Sequence, residues 1–291
     1  MEGTNCEVKQ DNPLLCSSGG AETVEAPQPL IAPPRIRHEL KYIVPERYAD
    51  EIREYLQVFC EPDSFAQGEP PVYTVSTLQL DTPALSLHFA KERKQVNRFK
   101  LRVRTYGEEP AGTVFFEVKR KEENYVRKTR SRVAVADYGP HCFGESPMVP
   151  RFKTEAEAMN HYEFLRLYRS LGALPMAHIR YERESWIGNP DTSVRITMDR
   201  RIRYRRAKDF SLHGLSKLPW RSMDTQVALR RPFAGFVLEM KCSLEVPTWI
   251  LYLVRKYNLE RSGFCKYSTA MRLESLFLGD TYTAGSERCF G

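Results

Sequence analysis

Long apolar runs are missing from this sequence. No stretch approaches the roughly 20 residues a helix needs to cross a bilayer, and the most apolar one, around residues 249–254, is much shorter. The N-terminus has no basic start followed by an apolar segment, so it does not read as a secretory signal. Leu14, Leu15 and Cys16 resemble a lipoprotein cleavage site only faintly, because no hydrophobic segment precedes them. The expectation is a cytoplasmic protein. Paired cysteine motifs are also missing. The seven cysteines are odd in number and none stands in a C-x-x-C spacing, which argues against a structural zinc site and for reduced, mostly buried thiols. There is no internal repeat. There is no Ser/His/Asp set for nucleophilic catalysis, and the six histidines are scattered. An acidic excess is absent too: the formal net charge is +7. A basic balance points to anionic partners, namely nucleic acid, anionic lipid or phosphate compounds.

What is present is an ordinary globular composition, 42% hydrophobic and 28% charged, in a chain long enough for one large domain. Residues 1–34 are rich in Gly, Ser, Pro, Gln and Glu and read as a disordered leader. The folded core is expected over 35–278, with a loose tail at 279–291. Alternation and β-branched content predict strands at 35–44, 72–81, 98–106, 113–120, 124–135, 177–186, 193–199, 200–206 and 235–242. Helical spacing predicts helices at 45–59, 154–171, 247–257 and 267–277. In the second of these, Ala156, Met159, Phe164, Leu165 and Tyr168 are the candidate core positions. Trp186, Trp220 and Trp249 read as packing residues. The fold class is α+β, mainly antiparallel β: an eight-stranded barrel with helices that flank or plug it.

Side chains two apart on a strand share a face. Lys100, Arg102 and Arg104 therefore point together, opposite Leu101 and Val103. Glu117, Lys119 and Lys121 share a face, as do Glu39 and Lys41, Glu239 and Lys241, Arg195, Thr197 and Asp199, and Tyr181 and Arg183. One such face is a wet outer surface. Charged faces on five or six strands, together with amphipathic helices that need apolar cover, put the polar side inside a barrel. An interior packed with Lys and Arg repels itself without a counter-anion. Arginine forks suit phosphate oxygens, and lysine adds a mobile point charge. A tunnel narrower than a base excludes nucleic acid. Glu39, Glu117 and Glu239 either pair with the cations or together hold Mg²⁺ or Mn²⁺ beside a phosphate.

Eight short motifs then occur in order. They are the segment around Glu39, Lys41 and Tyr42; residues 76–82; 99–106 with Arg102 and Arg104; 116–121 with Glu117 and Lys119; 181–183; 194–199; 237–241 with Glu239; and 265–267 with Lys266. In that order they resemble the VTC domain, the catalytic domain of vacuolar transporter chaperone polyphosphate polymerases, within the triphosphate tunnel metalloenzymes and their CYTH group. The resemblance implies an eight-stranded tunnel that binds ATP and a divalent metal, Mn²⁺ or Mg²⁺, and passes the γ-phosphoryl group to inorganic polyphosphate. It implies Arg102, Arg104, Lys119, Arg183 and Arg195 as catalytic cations. Lys41, Arg127, Tyr181, Lys241 and Lys266 would bind phosphate, and Glu239 would lead the metal ligands, with Glu39 and Glu117 behind it.

Some positions depart from the pattern. The CYTH signature Glu-x-Glu-x-Lys reads Arg37-x-Glu39-x-Lys41 here, which counts against a cyclase or triphosphatase of that group. Gly263 stands where a basic residue is common three positions before Lys266; Arg261 is the substitute on offer. The regulatory SPX domain and membrane helices of eukaryotic members are not in this sequence, which in that respect resembles stand-alone bacterial members. Two alternatives stay open: an inorganic triphosphatase using the same tunnel, and a non-catalytic polyphosphate-binding module.

Overall fold

The computed structural model describes residues 38–66, 68–123, 125–144, 150–243 and 245–278. The expected leader and tail, and Arg37 of the first motif, lie outside the described residues. In chain order the elements are β1 (His38–Pro45), α1 (Ala49–Gln57), β2 (Cys60–Pro62), β3 (Val72–Asp81), α2 (Ser86–Glu92), β4 (Arg98–Tyr106), β5 (Thr113–Glu122) and β6 (Tyr125–Ala134). They continue as α3 (Glu155–Leu171), β7 (Leu174–Gly188), β8 (Arg195–Arg206), β9 (Arg221–Ser222), α4 (Gln226–Leu229), β10 (Gly235–Cys242), α5 (Thr248–Lys256) and α6 (Lys266–Leu278).

Eight strands form one antiparallel wall in the order β1-β10-β8-β7-β3-β4-β5-β6, with β2 added to β7 and β9 to β8. Period-two alternation dictates its faces. Leu40, Tyr42 and Val44 of β1 join Phe236, Leu238 and Met240 of β10 in an outer core covered by α1 and α5. Leu101 and Val103 of β4 join Val114, Phe116 and Val118 of β5 in a second outer core, covered by α3. The opposite face therefore carries the charges. The wall rolls round so far that Lys119 on β5 comes within 3.9 Å of Glu39 on β1. Among the described residues no ladder joins β1 to β6, so side chains bridge that seam.

Local chemistry fixes the ends of elements. The Thr154 side chain accepts a hydrogen bond from the Glu157 backbone N–H and starts α3, and Gly172, at φ 57°, ends it in the left-handed conformation glycine tolerates. At Gly235 a Cβ would overlap the Val44 carbonyl, so the close approach of β10 to β1 requires glycine.

Two differences from the sequence reading have physical causes. The two strands predicted at 193–199 and 200–206 are one strand, β8, whose pairing with β7 shifts between Arg180 and Glu182. Arg201, at φ 47°, is the extra residue of this bulge. The bulge lets Asp199 and Ile202 both face inward although three positions separate them. In α3, Phe164 and Leu165 are buried but Met159 is 62% exposed. Glu157 and His161 take the sheet-facing positions, since Glu157 pairs with Arg132 and the His161 ring bonds Ser131. Of the flanking and plugging positions expected for the helices, α6 takes the second and lies on the inner face: Tyr267, Ala270, Met271 and Leu273 pack on Ile43, Val75, Ile179 and Tyr204. It fills part of the interior with apolar side chains and leaves the rest to the cations.

Phe116 is almost fully buried and packs against Phe143, His161 and Phe164. Phe116→Ala is expected to cost about 3–5 kcal/mol in urea unfolding, whereas Met159→Gln should stay within about 0.5 kcal/mol of the native protein.

Candidate functional site

The inner face gathers its charges into clusters, each built round a carboxylate. On β5, Glu117 has no solvent exposure. It accepts a hydrogen bond from Arg102 Nε at 2.7 Å, lies 3.7 Å from Arg104 Nε and contacts the Lys128 ammonium. Burial alone would raise its pKa, but these three cations hold it down at about 2. Register explains the meeting: Arg102 on β4 is directly opposite Glu117.

Beside this cluster, Lys119 stands opposite Lys100 on one side and Lys128 on the other. Like charges abreast on three strands are costly. Burial, and for Lys119 the neighbouring Arg102 and Lys41, pull both Lys119 and Lys128 down to about 8. Lys100 finds relief in Cys265, its Nζ 2.8 Å from the Sγ. Burial works against the Cys265 thiolate, yet Lys100 brings the thiol to about 6.

At the seam, Lys41 contacts Glu239 at 3.0 Å and Glu39 at 3.7 Å, while Lys241 contacts Glu239 at 2.6 Å. The pairing of β1 with β10 sets Lys41 opposite Glu239 and Glu39 opposite Lys241. Burial opposes both charges, but their mutual attraction wins, so the Lys41 pKa rises and that of Glu239 falls well below the carboxylate range.

Further along, Asp199 accepts two hydrogen bonds from Arg183, at 2.7 and 2.9 Å, and one from Lys266 at 2.5 Å. Both cations lie against the Tyr181 ring, the Arg183 Cζ 5.2 Å and the Lys266 Nζ 4.3 Å from its centroid. Arg195 bonds Asp63 and the Ser185 hydroxyl.

The structure thus brings Lys41, Arg102, Arg104, Lys119, Tyr181, Arg183, Arg195, Lys241 and Lys266 onto one inner face. Two sequence readings need correction. Arg127 projects outward, 3.8 Å from Glu163 of α3, because β6 alternates with Ser131 and Val133 on the helix side. Lys128 takes the inward place, and alternation could have found it once the pairing of β5 with β6 was known. Glu39, Glu117 and Glu239 do not converge as a metal-binding set. Glu117 is enclosed by its own cations, and among the described residues no three His, Cys, Asp or Glu side chains form a metal-binding group. Asp63, which orients Arg195, was missed; it lies in a loop, where strand alternation gives no signal.

Buried polar atoms here that make no hydrogen bond among the described residues include Arg104 Nε, on a side chain 9% exposed, and the Thr197 hydroxyl; Glu117 Oε1 also makes none but faces the Lys128 ammonium. Thr197 is the direct neighbour of Glu239 across the β8–β10 ladder. A donor without an acceptor inside a cation-lined wall fits an anion. Glu239 and Glu39 share Lys41, have Lys241 and Lys119 as their other ammonium neighbours and lie beside the unpartnered Thr197 hydroxyl. A hard divalent ion takes one or two carboxylates and completes its shell with phosphate oxygens and water, so these two carboxylates are the pair that would hold one.

The VTC domain family description matches residues 36–274. The chain belongs to the VTC domain family. Membership supports a polyphosphate-related or triphosphate-tunnel function for this VTC domain, in a family that is generally metal-dependent. Among solved structures it is similar to the PH1819 protein of Pyrococcus horikoshii OT3, with 12% identity and a TM-score of 0.42 over 82% of this chain and 99% of that one. It is also similar to a Vibrio parahaemolyticus protein described as a candidate adenylate cyclase, with 14% identity and a TM-score of 0.41 over 82% and 99%. A search of the curated proteins gives no match. Among the described residues no helix is long and apolar enough to cross a membrane.

Lys119 and Lys128 are ammonium ions well below about pH 8 and lose their protons as pH rises through it. Affinity for sulfate, whose charge is constant over this range, should therefore fall between pH 7 and 9 in titration calorimetry at fixed salt. Lys119→Arg and Lys128→Arg should flatten that fall, because guanidinium stays charged.

Proposed function

We propose that this VTC domain is a polyphosphate polymerase of the cytoplasm, a metal-dependent phosphotransferase that moves the γ-phosphoryl group of ATP onto the end of an inorganic polyphosphate chain. The observation that carries the reading is Arg104: a buried guanidinium with an unused donor, set among more cations than the carboxylates of its own cluster neutralise. A short anion with several charged oxygens answers that arrangement, and the family supplies the polyphosphate class.

Arg102, Arg104, Lys119, Arg183 and Arg195 neutralise the non-bridging oxygens of the triphosphate, and their carboxylate partners keep the forks oriented before it arrives. Lys41, Lys128, Lys241 and Lys266 hold the accepting chain in line. Lysine suits that task because its point charge follows a sliding anion, where arginine fixes a bidentate geometry. The nucleophile is a terminal phosphate oxygen, already anionic at neutral pH, so no general base is required. That agrees with a sequence that offers no obvious Ser/His/Asp set. Glu239, with Glu39, would hold Mn²⁺ or Mg²⁺, which when bound would supply charge neutralisation for phosphoryl transfer. The acceleration otherwise rests on positioning and electrostatics.

The test is incubation of the purified protein with ATP and Mn²⁺, with long-chain polyphosphate and free phosphate assayed together. Polymer is expected, with its loss in Glu239→Gln. Arg102→Ala should lower kcat/KM by about 2–4 kcal/mol in transition-state terms, the scale of removing one oxyanion donor. Free phosphate without polymer would make the protein a triphosphatase. Neither product, with retained polyphosphate binding, would make it a binding module.

A further inference from the structure

The interior carboxylates outside the metal reading still need a role, and Asp199 is the most constrained of them. It is 1% exposed, on β8 opposite Arg183. Its two oxygens accept from Arg183 Nε and Nη2, and one also takes the Lys266 ammonium. A guanidinium has five donors in a rigid fork. The bidentate pair consumes two and directs the remaining three away from Asp199. The Lys266 contact crosses from the wall to the first residue of α6, the helix inside the barrel. A second bond made by the same turn, from the Tyr267 hydroxyl to Asp81 at 2.8 Å, anchors that end of α6 to β3. Asp199 thus holds one cation from the wall and one from the inner helix against the same Tyr181 ring.

We propose that Asp199 is a positioning residue for the tunnel, fixing Arg183 and Lys266 as one anion-binding pair that spans the barrel wall and α6. The inference rests on the tunnel reading, and takes its ligand to be a linear polyphosphate with at least three phosphates. A rival explanation is that Asp199 only balances charge. The two separate by design. Asp199→Glu keeps the charge and moves the carboxylate, while Asp199→Asn keeps the shape and removes the charge. Charge balance alone requires Asp199→Glu to bind as the native protein does and Asp199→Asn to bind an anion more tightly, since the interior gains one positive charge. Positioning requires both to bind more weakly.

The experiment is titration calorimetry of the full chain with tripolyphosphate and Mg²⁺, comparing the native protein, Asp199→Glu, Asp199→Asn, Lys266→Met and the Asp199→Asn/Lys266→Met double variant, each checked for folding by circular dichroism. Each Asp199 variant is expected to weaken binding about tenfold, a loss of roughly 1.4 kcal/mol. In the double variant the two losses should fall short of multiplying, because Asp199 acts through Lys266. Native-like or tighter binding in either Asp199 variant, or losses that multiply fully, would overturn the proposal. If Asp199→Asn does not fold, Asp199→Glu alone decides between the two roles. Absence of tripolyphosphate binding by the native protein would instead overturn the tunnel reading, and this inference with it.

Discussion

Cations crowded on the inner face of a rolled sheet repel one another, and the low-dielectric surroundings sharpen that repulsion. The wall of this protein holds because carboxylates are buried among them at intervals. Glu117 serves Arg102, Arg104 and Lys128; Glu239 serves Lys41 and Lys241; Asp199 serves Arg183 and Lys266; Asp63 serves Arg195. Each carboxylate is outnumbered or at best matched, so neutralisation stops short of completion. The shortfall surfaces where three lysines lie abreast, with Lys119 and Lys128 giving up protons more readily than free lysine. That deficit of negative charge is what a polyanion would supply. The same carboxylates hold the guanidinium forks in place, and every fork so held is one that a ligand need not order.

The outer face solves a different problem. A sheet whose interior is polar must bury its other side, and α1, α5 and α3 provide the cover. Helix α6 departs from that scheme. It enters the interior and finds an apolar floor in Ile179, Ile202 and Tyr204. The bulge at Arg201 makes this floor possible, because it returns Ile202 and Tyr204 to the inner face after Asp199. One end of α6 then meets the charges: Cys265 faces Lys100, Lys266 faces Asp199 and Tyr267 reaches Asp81. The apolar packing of α6 and the electrostatics of the inner face are therefore coupled through three consecutive residues, 265–267.

Much of this was legible from the amino acids alone. Strict alternation in β4 and β10 gave their extents and faces, because a strand half-buried on each side can tolerate no slip, and β-branched content gave the extent of β3. Most of the cation set followed from the same period, while Lys266, outside any strand, came only with the family resemblance. Arg127 was misjudged because β6 carries basic residues on both faces, Arg127 outside and Lys128 inside, so alternation of charge alone does not say which face is which there. Met159 was misjudged because two polar residues, Glu157 and His161, found partners on the sheet and claimed the buried side of α3. Helix α2 was too short for its periodicity to stand out.

The sequence by itself determined the antiparallel class, the polar and apolar faces of most strands, and the basic chemistry of one face, since these depend on side chains a few positions apart. Only the tertiary structure decided which carboxylate neutralises which cation, that Glu117 is locked among arginines rather than grouped with Glu39 and Glu239, and that α6 lies within the barrel. Those outcomes depend on register between strands distant in sequence, such as β1 with β10, and on how far the sheet rolls. Both are set by the summed packing of the whole wall, and no local pattern encodes them.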